Sequence, residues 1–392
     1  MTHAPRPVIR TTDALAEVCA ELRTADFVAL DTEFMRDATY WPKLCLIQLA
    51  GGEIEAVVDP LADGLDLAPL YALLADTDVL KVLHAARQDV EIFHHFGGVI
   101  PEPLFDTQIG AMALGYGDSI AYDALVAKLL KLSIDKSSRF TDWSRRPLGD
   151  KQLAYALADV THLRDLYPKM RARLERKDRL DWIAAEHAVL TDPATYDLSP
   201  EIAWRRLKLR KTSPGYLAAL KAAAQWRETE AQSRDLPRSR IMKDDTLYDI
   251  ALQQPQSADA LARLRGAPRG FERSRGGQSL IIALQTALAD PEIHAPKVAR
   301  PEPTPPGIGP IVDFLKVLLK LKAEENEVAP RLIATVSDLE KIAADDAADT
   351  PALSGWRREL FGQTALELKH GRIALKLENG RVVAVDLDGG DG

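Results

Sequence analysis

One stretch limits what this chain can fold into more than any other: FVALDTEF, residues 27–34, an apolar run that ends in two carboxylates one residue apart. A short apolar run of this kind reads as a buried β-strand. Side chains at i and i+2 of a strand share a face, so Asp31 and Glu33 are expected side by side at its end. Two crowded carboxylates raise each other's pKa unless a cation lies between them. The pair is therefore either a metal site or a solvated strand end, and the rest of the chain must decide.

At 392 residues the chain exceeds one ordinary core, and two or three domains are expected. An apolar content of 46% and a charged content of 28% suit a soluble globular protein. No apolar run approaches the length of a membrane span, and the N-terminal MTHAPRPVIR lacks the apolar core of a signal peptide. A cytoplasmic location without membrane contact is expected. Two cysteines, Cys19 and Cys45, are too few for a disulfide framework or a complete zinc site and read as buried reduced thiols. The net charge of −8 divides unevenly: residues 1–190 hold 21 Lys+Arg and 29 Asp+Glu, residues 191–300 hold 18 and 13, and residues 301–392 hold 11 and 16. A basic middle third beside an acid-rich first half fits a polyanion delivered to a carboxylate cluster, and it also fits ordinary charge scatter.

Residues 12–25 read as an amphipathic helix, with Thr12 or Asp13 near its N-cap. Strands are expected at 27–32, 44–50 and 54–59, and their short connections favour an antiparallel meander. A helix at 66–75, a strand near 79–83 and a helix at 85–96 closed by Gly97-Gly98 follow. Residues 104–114, 121–131 and 149–171 also read as helical. The pattern predicts an α/β or α+β domain of about 190 residues.

Two more acids stand out. Asp89, in HAARQDVEIF, falls in the first turn of its helix, where an acid also complements the helix dipole. Asp159, in KQLAYALADVTHL, lies four residues after Tyr155, so the two share a helix face.

Asp31-Thr32-Glu33-Phe34 on a strand, Leu83-His84 ahead of Asp89, and Tyr155 with Asp159 on a late helix together resemble the tyrosine-containing branch of the DEDD superfamily of 3′–5′ exonucleases. TYWPKLCLIQLA (39–50), FDTQIGAMALGYG (105–117) and TDWSRRPL (141–148) resemble the ribonuclease D family within it. The resemblance covers the first domain and implies an α/β fold, a ribonuclease H-like mixed sheet with flanking helices. It implies two divalent metal ions, Mg²⁺ or Mn²⁺, at Asp31, Glu33, Asp89 and Asp159, which suits hard cations that prefer oxygen ligands. By similarity Asp31 bridges the ions, Glu33 and Asp159 complete the site of the ion that activates water, and Asp89 supports the second. Tyr155, whose ordinary pKa of about 10 makes it a poor base, orients the attacking water. His84 either touches substrate or packs, and Gln48 either lines the cleft or faces another strand. Arg145 and Arg146 either contact phosphates or form a solvated loop. Asp106 and Asp142 read as caps or turn residues.

After residue 190 comes a connector, then WRRLKLRK (204–211), with five cations in eight residues: a phosphate contact or a solvated helix face. PRSRIMKDDTLYDIA (237–251) is repeated as PRLIATVSDLEKIA (330–343), each copy preceded by a helix, at 216–234 and 309–327. The tandem modules resemble HRDC domains, helical bundles that serve as nucleic-acid-binding or docking modules. The first keeps Arg238, Arg240, Lys243, Arg263, Arg265, Arg269, Arg273 and Arg275 and is expected to bind RNA backbone. The second is acidic and is expected to pack against the first domain. The expected organisation is 1–195 exonuclease, 205–290 first HRDC domain, 291–307 an extended proline-rich linker, 308–365 second HRDC domain and 366–392 a β-hairpin and tail, turning at Asn379-Gly380. The implied activity is 3′–5′ exoribonucleolysis of RNA with a free 3′ end, tRNA precursors being the substrate class, by a monomer that releases nucleoside 5′-monophosphates. A DNA exonuclease of the same superfamily and a non-catalytic HRDC nucleic-acid-binding protein are the alternatives.

Overall fold

A computed structural model describes residues 8–135, 137–138, 141–298 and 305–387; the start of the chain, residues 299–304 of the expected linker and 388–392 of the tail lie outside the described residues. The chain divides into two units. The first comprises Met1–Glu33, Cys45–Thr195 and Pro303–Gly392, and the second Phe34–Leu44 and Tyr196–Glu302.

The first unit opens with α1 (Thr12–Leu22), capped by Thr11, whose hydroxyl accepts from the Ala14 amide. The cap thus falls one residue before the position expected, and the Thr12 hydroxyl instead accepts from the Asp66 amide at 2.9 Å. Then come β1 (Phe27–Met35), β2 (Lys43–Gly51), β3 (Ile54–Val58), α2 (Ala68–Leu74), β4 (Leu80–Leu83) and α3 (Arg87–Gly97). They are followed by β5 (Leu104–Asp106), α4 (Thr107–Ala113), α5 (Tyr122–Leu130), α6 (Asp150–Arg176) and α7 (Leu180–Thr191). Gly98, at φ 62°, ends α3 in the left-handed conformation that glycine adopts freely. The expected helix at 104–114 is corrected: Leu104–Asp106 pairs with Lys81–Leu83 as a strand, and only then does the helix begin. Three residues are too short a run to show a period of two.

The five strands are ordered β3-β2-β1-β4-β5, with β2 antiparallel to β3 and β1 and β5 both parallel to β4. Parallel strands end at one edge of a sheet, the edge where α/β folds place their ligands. Asp31 and Glu33 lie in β1 beyond its pairing with β4, and His84 follows β4 at the same edge. Asp106 pins this edge. Its carboxylate accepts from the Ala85 and Ala86 amides at 2.9 Å, fixing the turn into α3, and from Gln108 at 2.7 Å, capping α4. Cys19 and Cys45 are buried thiols outside any disulfide among the described residues.

Residues 308–369 pack in the same unit. The helix Ile308–Glu325 ends against α4, where the Ala329 amide donates to the Met112 carbonyl at 2.8 Å. The buried Arg179 donates to the carbonyls of Ala113, Asn326 and Glu327 at 2.6–3.0 Å. Trp182 of α7 stacks on Trp356, centroids 4.1 Å apart and planes at 2°. Gln363–Lys369 is helical, which corrects the expected start of the hairpin. Its strands are Ile373–Glu378 and Arg381–Asp386, and Asn379 and Gly380 both take positive φ as a two-residue turn requires.

The second unit is helical. Its main helices are Pro214–Ser233, Asp244–Gln253 and Arg275–Ala289. The two repeat copies share a layout: a short helix (Arg238–Ile241, Pro330–Ile333), then a longer one (Asp244–Gln253, Val336–Ala344). Leu247, Ile250 and Ala251 are buried at the positions that Leu339, Ile342 and Ala343 occupy in the other copy. Residues expected as an extended linker include one helical turn, Pro291–His294, capped by Asp290.

Segment 34–44 joins β1 to β2 yet belongs to the second unit. The Tyr40 hydroxyl donates to Glu228, and Arg238 donates to both Glu228 and that hydroxyl. The Tyr40 and Trp41 amides donate to Asp235 at 3.0 and 2.9 Å. The TYW string thus has a structural use: it docks a loop on the long helix. WRRLKLRK is not a solvated helix face. Pro200–Arg206 is 3₁₀, Arg206 pairs with buried Glu228 at 3.0 Å, and Arg210 pairs with Asp245 and lies over the Tyr248 ring. Among the described residues no helix is long and apolar enough to cross a membrane.

Candidate active site

At the carboxyl edge of the sheet a cavity of about 320 Å³ is lined by Asp31, Thr32, Glu33, His84, Tyr122, Tyr155, Asp159 and Leu163. Strand alternation brings Asp31 and Glu33 together, and α6 lays Asp159 against them. One carboxylate oxygen from each of the three lies within 4.8 Å of the others. Tyr155 stands one turn before Asp159 and faces the same cavity. Its ring lies 6.1 Å from that of Trp143, which is buried.

Asp89 is buried in the first turn of α3 and stands outside the tight group of three. The Thr32 hydroxyl, between the two strand acids, donates to the Asp89 carboxylate.

These acids sit in a place that resists their ionisation. Burial pushes the Glu33 carboxyl up to about 8, with Asp159 and Asp89 adding repulsion. Burial pushes Asp159 and Asp89 up to about 7, the Thr32 hydrogen bond working against the rise at Asp89. Asp31 is raised well above the carboxylate range by burial and then by its three acidic neighbours. Oxygen donors crowded within one cation's reach, whose ionisation burial and mutual repulsion oppose, fit a hard divalent ion.

Of the other expected site residues, His84 lines the cavity. Its Nε2 donates to the Ile120 carbonyl at 3.2 Å, Nδ1 lies 3.0 Å from the Thr107 hydroxyl, and burial lowers its pKa. Gln48 does not line the cavity: it is buried in β2, its side-chain nitrogen and oxygen without a hydrogen-bond partner. Arg146 is committed elsewhere, to the Asp59 carboxylate at 2.6 and 2.8 Å and to the carbonyls of Cys45, Trp143 and Arg145. Arg145 is exposed and pairs with Asp142, which also caps Ser144, the turn role expected of it.

Two lining residues were given no role from the sequence: Thr32, which is part of the quoted motif, and Tyr122. Thr32 has the parity opposite to its acidic neighbours, so alternation alone points away from it. Tyr122 donates from its hydroxyl to the backbone carbonyl of Asp159, and burial raises its phenol well above the usual value. A backbone partner 37 residues away leaves no mark in the sequence.

The chain matches the family model of the 3′–5′ exonuclease over residues 7–175 and that of the HRDC domain over residues 217–277. It is 53% identical to the ribonuclease D of Nitrobacter hamburgensis over 379 residues, which cover 97% of this chain and 99% of that protein. It is 51% identical to the ribonuclease D of Acidiphilium cryptum over 385 residues, 98% of each. Its fold is similar to the crystal structure of Escherichia coli RNase D, an exoribonuclease involved in structured RNA processing, with a TM-score of 0.79 at 31% identity, covering 94% of this chain and 99% of that one.

Proposed function

The chain belongs to the ribonuclease D family and is a 3′–5′ exoribonuclease, and from that premise we propose that it trims structured RNAs, tRNA precursors foremost, using two divalent ions, Mg²⁺ or Mn²⁺, at Asp31, Glu33, Asp89 and Asp159. It acts as a cytoplasmic monomer of the tyrosine-containing DEDD branch and releases nucleoside 5′-monophosphates. The observation that carries this reading is the convergence of Asp31, Glu33 and Asp159 within 4.8 Å beside Tyr155.

Ions held there supply an acidified water and stabilise charge on the leaving oxygen. The chain's own residues do the rest. Asp31, Glu33 and Asp159 would hold the ions between them, and Asp89, tied to the strand through the Thr32 hydroxyl, would add a fourth carboxylate. The Tyr155 hydroxyl orients the attacking water, a task that needs no ionised phenol. His84, held by Ile120 and Thr107, forms part of the wall that substrate meets. Arg146 braces the loop 141–148 against Asp59 and so supports Trp143 beside Tyr155.

Residues 1–195 form the exonuclease domain, 205–290 the first HRDC domain and 308–365 a second. The shared helix layout and matched buried positions of the two copies support the second assignment. Digestion of a 3′-extended tRNA and a matched DNA strand, with the products resolved by length, tests the substrate class. Stepwise shortening of the RNA alone is expected; equal or better shortening of the DNA would move the chain to a DNA exonuclease.

A further inference from the structure

A second cavity, of about 870 Å³, lies away from the carboxylates, where the last turn of α6 and the loop after α4 meet the helix Ile308–Glu325. Three separate elements converge cations on it: Lys128 from α5, Arg173 and Arg176 from α6, and Lys320 from the long helix of the second module. Two acids also face it. Glu327 is already paired with Lys177, which leaves Glu324 against the other four cations. Among the described residues none of those four makes an ion pair. Arg173 instead donates to the Tyr116 hydroxyl, and the Lys128 ammonium stands 5.3 Å from the centroid of the same ring.

Basic residues in the last turn of a helix are ordinary, because they complement its dipole. Lys320 is not in such a turn, and Lys128 closes α5, a different helix from the one that carries Arg173 and Arg176, so the dipole of one helix does not account for their convergence. Like charges gathered from three elements repel one another until an anion enters. The close seam that brings them together is built in. Gly115, at φ +75°, lies so near the Glu327 backbone that a Cβ there would come within 2.6 Å of it.

We propose that this groove is a second RNA-binding site, which holds the phosphate backbone of the substrate upstream of the 3′ end being cut. The proposal rests on the exoribonuclease reading of the carboxylate cavity. Helix α6 connects the two sites and sets their spacing. Arg176 lies 17 residues beyond Asp159 on it, which is roughly 25 Å at 1.5 Å per residue. A stacked strand advances about 3.4 Å per nucleotide, so an RNA must exceed about seven nucleotides to touch both sites. A cavity of this volume, with cations spread over three elements, suits a polymer of phosphates better than one small anion.

The test is length dependence. Binding of RNAs of about four and about 20 nucleotides is measured by fluorescence anisotropy with chelator present, so that no cleavage intervenes, on wild type and on the triple variant Lys128→Ala, Arg176→Ala, Lys320→Ala. All three side chains are exposed; the single variant Arg176→Glu guards against a folding artefact and should act in the same direction. The triple variant is expected to bind the long RNA about tenfold more weakly, with a salt slope shallower by about 2, and to lose nothing on the short one. Unchanged binding of the long RNA, or equal loss at both lengths, overturns the proposal. Cleavage of the short RNA by wild type with Mg²⁺ reports the catalytic reading separately, so failure of one is not mistaken for failure of the other.

Discussion

The hydroxyl of Thr32 donates a hydrogen bond to the carboxylate of Asp89, 57 residues further along the chain. It ties the strand that carries Asp31 and Glu33 to the helix that carries the fourth acid. Thr32→Val keeps the shape and removes the donor, leaving a buried carboxylate oxygen unsatisfied at a cost of about 1–3 kcal/mol. We expect kcat/KM to fall about tenfold or more and Tm to fall by a few degrees, while Thr32→Ser, which restores a hydroxyl, recovers most of both. Steady-state kinetics and a thermal melt on the two variants check it.

The buried acids make stability depend on pH and on metal together. Burial raises Glu33 to about 8 and Asp159 to about 7, whereas in an unfolded chain both lie near 4. As pH rises from about 4 to about 8 the unfolded chain sheds these protons while the folded one keeps them. Their contribution is therefore fully present below pH of about 4 and lost as pH passes through about 7 to 8. A divalent ion replaces the missing protons. The rise in Tm on adding Mn²⁺ should accordingly be larger at pH of about 8 than at about 6, and Glu33→Gln should shrink it at both. An equal rise at the two pH values would contradict this.

Arg179 holds three backbone carbonyls from both sides of the seam between α4 and the second helical module. Arg179→Ala leaves them without that donor and removes the guanidinium 4.6 Å from the Trp182 ring centroid. A loss of about 3 kcal/mol or more in chemical denaturation is expected, with a change in the near-ultraviolet signal of the Trp182–Trp356 stack. A loss under about 1 kcal/mol would mean that the seam does not depend on this side chain.

Much of the site was legible because it obeys short-range rules. Alternation put Asp31 and Glu33 on one face, and helix spacing put Tyr155 with Asp159. The first-turn position of Asp89 also stands as read. What escaped depends on pairs far apart in sequence. Nothing near Arg146 announces that its charge is spent on Asp59, 87 residues earlier. Nothing near Tyr40 points to Glu228, 188 residues later. Gln48 alternates correctly for a cleft residue, yet it is enclosed in the sheet. Leu104–Asp106 is a strand only because β4 lies beside it. The repeat was visible, and its layout followed; that the acidic copy shares a core with the α/β domain was expected from its charge, while the residues that join them, Arg179, Trp182 and Gly115, were not.

The proposed reaction depends on Asp31 to gather divalent ions for cleavage at a 3′ end. The most direct measurement is digestion of a 5′-labelled, 3′-extended RNA by wild type and by Asp31→Asn, each with Mg²⁺, with Mn²⁺ and with chelator. Wild type with metal should shorten the RNA stepwise from the 3′ end and release 5′-monophosphates, and should do neither in chelator. Asp31→Asn should lose about three orders of magnitude or more in rate with an unchanged circular dichroism spectrum. Cleavage that persists in chelator, or near-normal activity in Asp31→Asn, would contradict it.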